Sequence, residues 1–554
     1  MRKSRIPWIL LLCLLAGCGK EQVEEVTKEE TANAVITEKP TQEPAQEVVP
    51  TNVPDTTKED SSPSEGEVAT TPAEENNEAE KIDSSKPKAL NLINEVKQSY
   101  WEWDDAREFC YLSGYSETIT VEDKGYEKLE EALNRINDAN AEKITSYYNG
   151  WLEDAKTYAQ QTGCQYEMER TNEIQRADER IVSFLTHEYT YLGGAHPNVV
   201  RESHNINPLT GEELLLKEIA SDYDGLYQDV LDRLSDINQT GDFTNGYNEG
   251  YADVVKSLFY EEDGKNLTWT INLQELTIYF DAYVLGSYAR GETTLTIPLT
   301  ECEKFLKPEY NHWDWGFAIQ LQLGEPRNID VDDDGTLESI DFNTVENEVE
   351  FYTDVTIHSG NQSLTYQIMG TFKDAYVLKT KEGRAYFYLE GQDFGDYCTL
   401  YVFGFNQEKP YFIDTFGSSI YGHFLQDPER FRLFQFVQTL GTYEGYREYS
   451  VGADGMPVSQ DKALVLLESF YREGLTSTRE LTVYGCIDGV QQKESKVLPA
   501  GTVFKCIATD ETTYMEMELE DGSHCILPFE RVDWQIFIDG VKDIECFEFL
   551  PYVG

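Results

Sequence analysis

The sequence predicts an α+β, multidomain chain in which one long helix precedes many short strands. Apolar residues recur at helical spacing from Tyr126, Leu129, Leu133 and Ile136 through Ile144, Tyr147, Tyr148, Trp151, Leu152, Ala155 and Tyr158. Further on, apolar and polar residues alternate, as in Leu267, Trp269, Ile271 and Leu273, then Leu276, Ile278 and Phe280. The length, 554 residues, is more than one core serves.

The chain opens with basic residues, Arg2, Lys3 and Arg5, and an apolar run from Ile6 to Leu15. The run is short for a membrane span. With Leu15-Ala16-Gly17-Cys18 behind it, residues 1–17 read as a lipoprotein signal peptide. Cys18 is then the first mature residue, carrying diacylglycerol on its sulfur with palmitate-type chains. Two acyl chains hold a protein on a bilayer far better than one. The expected location is the outer face of the cytoplasmic membrane of a Gram-positive-type cell, at its surface or wall.

From residue 18 to about 90 the composition is Glu, Thr, Pro, Ser and Lys, without an aromatic residue. Such a segment buries too little apolar surface to offset its ordering entropy. It reads as a disordered acidic tether, with a mean reach of roughly 45–50 Å for a flexible coil. Across the whole chain 102 Asp plus Glu face 45 Lys plus Arg, a formal charge of −57. That charge disfavours nucleic acid and favours cations and basic proteins. Eight cysteines remain after Cys13 and Cys18: Cys110, Cys164, Cys302, Cys398, Cys486, Cys506, Cys525 and Cys546. None forms a CxxC, and their pairing stays open, with a local staple expected near the C-terminus.

Residues 91–308 form the first folded unit. The helix runs from Tyr126 to Gln161, and strands follow at Gln165–Arg170 and Arg180–Leu192. Gly193-Gly194-Ala195-His196-Pro197-Asn198 is a tight turn, because two glycines and an X-Pro pair restrict the backbone. A strand with Asn205 and Ile206, a turn at Thr210-Gly211, a helix from Tyr223 to Leu234 and the two alternating strands complete it.

The stretches Gly193–Asn198, Asn205…Thr210-Gly211…Leu214 and Leu276–Phe280…Tyr283…Tyr288-Ala289-Arg290-Gly291…Ile297-Pro298 resemble a bacterial extracytoplasmic domain family. That family forms the ectodomain of the anti-sigma-V factor RsiV, which binds lysozyme, and an N-terminal module of some peptidoglycan deacetylases. The resemblance covers roughly residues 92–305. It implies an extracytoplasmic α+β binding module. Only Met1–Arg5 precede the apolar run, so a sigma-holding cytoplasmic segment is not expected. No metal-binding Asp/His set of the deacetylase kind follows residue 305.

Residues 309–465 read as a β-rich domain, a sandwich or a partial propeller, with a helix over Phe431–Leu440. Within it, Asp330, Asp332 and Asp334 alternate before Gly335. Three carboxylates can turn onto one ion there, with the Thr336 carbonyl and Glu338 or Asp341 beyond. Oxygen ligands suit Ca²⁺, which would pin a hairpin; the alternative is a solvated acidic turn. Residues 466–554 resemble a small SH3-like barrel, with Asp521-Gly522 as a hairpin turn.

His187, His196 and His204 are the histidines near the turn. A convergent three-histidine site would support a peptidoglycan hydrolase or deacetylase; otherwise His196 caps its turn and His187 lies on a strand face. No HExxH, GxSxG or P-loop occurs. The tyrosines and tryptophans could stack sugars, although packing on strands explains most of them. The leading expectation is a non-catalytic, membrane-anchored envelope module that binds a cationic protein such as lysozyme, or peptidoglycan.

Overall fold

The computed structural model describes residues 87–552, apart from 105, 108, 241–245, 312–314, 348–350, 394–396, 462, 468–473 and 488. The expected signal peptide, Cys18 and nearly all of the tether lie outside the described residues. Contacts divide the chain into Met1–Glu80 and Lys81–Gly554, and every described residue belongs to the second unit. The architecture is mixed and mostly strand, in several sheets. Among the described residues no helix is long and apolar enough to cross a membrane.

A five-stranded sheet comes first, in the order β1 (Leu92–Trp103), β2 (Cys110–Val121), β3 (Tyr166–Ala177), β4 (Val182–Tyr191) and β5 (Asn198–Ile206). Helix α1 (Glu127–Thr162) connects β2 to β3 and returns the chain to the same end of the sheet, so these two strands pair in parallel while the others are antiparallel. The helix stops at Gly163, whose left-handed backbone (φ 72°) lets its N–H close on the Ala159 carbonyl. Leu129, Leu133, Ile144 and Ala155 of α1 are buried against the sheet. They meet Ile119, Ile174 and Phe184 at one end, and Leu112, Tyr166 and Met168 at the other.

β3 runs on to Ala177, well beyond the expected end at Arg170. The extension is polar, which hides it from an apolar-pattern reading. Several of its polar groups find partners: Thr186 donates to Asn172 at 2.8 Å, and Arg176 pairs with Asp178 at 2.6 Å. Neither β1 nor β2 is expected from pattern: Glu95, Val96 and Lys97 on the edge strand β1 are exposed and break the alternation, and β2 buries the polar residues Ser113, Ser116 and Thr118.

Helices α2 (Leu216–Ile219), α3 (Tyr223–Thr240) and α4 (Tyr251–Tyr260) share a core with the sheet of β6 (Thr268–Ile271), β7 (Glu275–Phe280) and β8 (Thr293–Pro298). Next, β9 (Phe317–Gln320) joins β14 (Thr371–Lys379), β15 (Ala385–Gln392), β16 (Cys398–Asn406) and β17 (Lys409–Phe416). Strands β10 (Arg327–Ile329), β11 (Glu338–Asn347), β12 (Tyr352–Ser359) and β13 (Gln362–Met369) form a second sheet. The two sheets share one core through Phe342, Val355, Ile357, Val377, Phe387 and Phe403, which is a sandwich.

The outer face of the sheet of β9 and β14 to β17 packs on β18 (Ser419–Ile420), β19 (Phe431–Gln438) and β20 (Thr442–Val451) through Tyr376, Tyr388, Phe431, Leu433 and Tyr449. The helix expected over Phe431–Leu440 is therefore strand β19. Phe431 is buried on one face, whereas Phe434 and Phe436, edge to face at 5.2 Å, share the other, so β19 carries aromatic residues on both faces and its alternation is masked. The expected C-terminal barrel is also corrected. The sheet containing β20 continues through β21 (Pro457–Ser459), β22 (Leu464–Leu466), β23 (Leu475–Thr476), β24 (Leu481–Ile487), β25 (Val490–Leu498), β26 (Val503–Thr509), β27 (Tyr514–Leu519) and β28 (His524–Pro528). β22 pairs with both β20 and β26. Strands that would close a barrel instead extend an open sheet across residues 465 and 466. Cys110, Cys164, Cys302, Cys398, Cys506, Cys525 and Cys546 are free thiols.

A buried ionic cluster ties α1 to the sheet. Arg170 on β3 is 1% exposed. Its guanidinium contacts Glu188 of β4, donates to Glu202 of β5 at 2.7 Å and to Asn140 of α1 at 2.9 Å. Lys143 of α1 reaches Glu188 at 2.6 Å and Glu202 at 3.2 Å, and the Tyr147 hydroxyl donates to Glu188 at 2.8 Å. A buried charge is tolerated only when so paired. Arg170→Met leaves Glu188 buried without its main partner and is expected to cost about 3–5 kcal/mol, measured as a shift in denaturant midpoint.

Candidate functional site

The motif turn between β4 and β5 depends on α1. Gly193 is left-handed (φ 71°), and a Cβ there would overlap the ring of Tyr158. The Tyr158 hydroxyl donates to the Gly193 carbonyl at 2.5 Å, and that of Tyr191 donates to the Gly194 carbonyl at 3.2 Å. The first glycine therefore answers to one aromatic ring as well as to the turn.

The same turn meets a loop just over ninety residues away. His196 stacks on Tyr288, with ring centres 3.8 Å apart and planes 20° apart. His196 Nδ1 lies 3.0 Å from the Pro197 carbonyl, which also accepts the Tyr288 hydroxyl at 3.4 Å. The Tyr283 ring centre is 5.4 Å from that of Tyr288. Tyr283 has φ 73° and is 64% exposed, an unfavourable backbone for a bulky residue that leaves its ring in solvent. Asn198 is exposed and begins β5 opposite Thr190. Leu192 and Val199, on either side of the turn, are exposed apolar residues.

Buried Arg201 of β5 anchors that loop. Its Nε donates to Asp281 at 2.7 Å, its backbone N–H donates to the same carboxylate at 3.1 Å, and its guanidinium lies over the Tyr279 ring at 5.0 Å. Two of the sequence stretches singled out above thus become one exposed aromatic surface. Tyr158 and Arg201 hold it; Tyr158 stands out in the sequence only as part of the helical apolar stripe and Arg201 not at all, since each works through a partner distant in the chain.

The three histidines go to separate partners. His187 Nε2 lies 3.1 Å from Glu173, His204 Nδ1 lies 3.4 Å from Glu213 and packs on Phe184, and His196 is in the stack.

The Asp330 loop links β10 to β11. Carboxylate oxygens of Asp330, Asp332 and Glu338 all lie within 4.8 Å of one another, so these three could hold a cation. Asp330 accepts the backbone N–H groups of Asp334 and Gly335 at 3.2 and 3.1 Å, and left-handed Gly335 (φ 86°) allows the turn. Glu338 accepts the Val331 N–H at 3.0 Å. Burial raises the Glu338 carboxyl above its usual range against that hydrogen bond, and the charges of Asp332 and Asp330 add to the rise. Asp334 instead turns to the Thr336 N–H at 2.7 Å, which lowers its carboxyl, while Thr336 is exposed. Asp341 lies within β11, 4.0 Å from His358. Lys379 Nζ lies 3.0 Å from Asp333, 3.4 Å from the Asp330 carboxylate and 2.8 Å from the Asp330 carbonyl, so the loop carries its own counter-charge.

Residues 121–199, from the end of β2 to the start of β5, match the model of the family described as deacetylase PdaC. Two solved structures are similar to part of the chain. One, a DUF3298 family protein from Pseudomonas aeruginosa PAO1, is 14% identical, with 40% of this chain and 97% of that chain covered and a TM-score of 0.29. The other, a member of the DUF3298 family from Bacteroides fragilis NCTC 9343, is 16% identical, with 40% and 96% covered and a TM-score of 0.28. No curated protein matches the chain.

Gly193→Ala is expected to destabilise the chain by about 1–3 kcal/mol, through a strained backbone and the overlap with Tyr158. In a double-mutant cycle by thermal melting, Tyr158→Ala in the same chain should return part of that loss.

Proposed function

We propose that this chain is an extracytoplasmic, envelope-associated binding module, held through a lipidated Cys18 on the outer face of the cytoplasmic membrane. The observation that carries the binding reading is the exposed stack of His196, Tyr288 and Tyr283, built where two distant motif stretches meet. Aromatic rings supply large contact area at low entropic cost, and such residues dominate the energetics of many interfaces. The similarity of residues 121–199 to the deacetylase PdaC family supports work at the cell envelope. A chain of net charge −57 is suited to a cationic partner, as the likeness to the lysozyme-binding ectodomain implies. Wall glycan is the other partner within the same reading. The role is non-catalytic; a deacetylase or hydrolase role has less support, since His187, His196 and His204 have separate partners.

Titration of the full chain with lysozyme tests the cationic-protein reading. Saturable heat at micromolar concentration is expected, weakening as salt rises, with at least tenfold loss in Tyr283→Ala/Tyr288→Ala. Absence of heat, or heat indifferent to salt, rejects it.

For the Asp330 loop the proposal is structural Ca²⁺ held by Asp330, Asp332 and Glu338, in competition with Lys379. Free Ca²⁺ at a hundred times its dissociation constant should stabilise the chelator-treated chain by about 2.7 kcal/mol. Glu338→Gln should abolish the shift; a melting temperature that ignores Ca²⁺ rejects the site.

A further inference from the structure

The five-stranded sheet has a second face, turned away from α1. On β1, Tyr100 and Glu102 serve the α1 side: Tyr100 stacks on Tyr148 at 4.3 Å, and Glu102 accepts the Tyr148 hydroxyl. Strand alternation puts Trp101 and Trp103 on the opposite side. Their rings stack along the edge strand, with centres 6.4 Å apart and planes 17° apart, and Trp103 is 37% exposed.

The strand register extends this face as two rows. Trp101 is opposite Ser113, Ser113 opposite Glu167, and Glu167 opposite Tyr191. One step along the strands, Ser99, Tyr115, Glu169 and Tyr189 follow in the same order. The first row has aromatic rings at both ends, the second has Tyr115 inside it and Tyr189 at its β4 end, and the β3 carboxylates Glu167 and Glu169 lie between the rings. Four strands at about 4.8 Å spacing put the Trp101 and Tyr191 backbones roughly 14 Å apart. The floor between them is polar: Gln165 donates to Ser113 at 2.7 Å, and Tyr115 donates to Glu169 at 3.4 Å. Glu167 and Glu169 are half-buried side by side. Burial, with the charge of Glu167, pushes the Glu169 carboxyl up to about 7.

We infer that this face binds a glycan carrying free amino groups, with sugar rings stacked on Trp101 and Trp103 and ammonium groups set beside Glu167 and Glu169. Flat indole rings suit the apolar faces of pyranoses. Carboxylates accept sugar hydroxyls, and an ammonium group relieves their mutual repulsion. Anionic polymers are disfavoured by the same charges. The surface adjoins the turn that carries His196, where the Tyr191 hydroxyl donates to the Gly194 carbonyl, but its tryptophans and carboxylates are not part of the His196–Tyr288 stack. It rests on the envelope reading only for where such a glycan would be met.

The test is a titration of the full chain at pH 6.5 with a β-1,4-linked glucosamine hexamer, its fully N-acetylated counterpart and polylysine. Saturable binding of the free-amine hexamer is expected, with the acetylated hexamer at least tenfold weaker. Trp101→Leu/Trp103→Leu and the near-isosteric Glu167→Gln/Glu169→Gln should each lose at least tenfold in affinity for the hexamer. Their melting temperatures show whether the sheet is intact. Polylysine binding should not respond to the tryptophan variant. No saturable binding, equal binding of the acetylated hexamer, or binding unchanged in the folded Gln variant overturns the inference. If the hexamer fails while lysozyme still binds, this surface falls and the envelope-module reading stands; if lysozyme fails while the hexamer binds, the reverse holds for the cationic-protein partner.

Discussion

The buried guanidinium of Arg170 is the constraint on which the first half of the molecule depends. A charge at 1% exposure has to find partners on all sides, and the partners available come from α1, β4 and β5. Meeting that demand fixes the helix over the sheet at a particular height. The height in turn brings Tyr158, about five turns beyond Asn140 along α1, against Gly193. The shape of the β4–β5 turn, and so the placement of His196, follows from an ion cluster elsewhere on the sheet.

The polar extension of β3 serves a second junction. Ala177 at its end exchanges hydrogen bonds with the Gln426 side chain, which accepts from the Ala177 N–H at 2.7 Å and donates to its carbonyl at 3.3 Å. Left-handed Gly422 passes close to the Leu92 carbonyl, where a Cβ would not fit. Arg432 and Tyr421 both reach Glu122. A short segment, 421–432, thereby completes the backbone of the first sheet while belonging to the layers that follow the sandwich. Buried backbone groups need partners, and here a side chain nearly 250 positions away supplies them.

The two aromatic surfaces arise in different ways on the first sheet. The His196–Tyr288 stack is a meeting of loops, anchored by Arg201 and exposed at the strand ends. The Trp101–Trp103 face is a product of strand register, in which residues two apart align across four strands. Only the first falls on stretches that stand out in the sequence. Trp101 and Trp103 lie in a strand whose exposed Glu95–Lys97 segment hides it, and their carboxylate neighbours are lost in a chain with 102 acidic residues.

What the sequence determined by itself is local. The 3.6-residue apolar spacing specified α1 to within a residue at each end, because packing against a sheet demands a continuous stripe. Alternation located β6 and β7, and Gly193-Gly194 and the Asp330–Gly335 run marked real turns. The tertiary structure alone decided the parallel pairing of β2 and β3, the open sheet in place of a barrel, and strand rather than helix at Phe431. It also decided which aromatic rings meet. These outcomes depend on partners far along the chain, and on whether a buried polar group is satisfied there, neither of which a local pattern records.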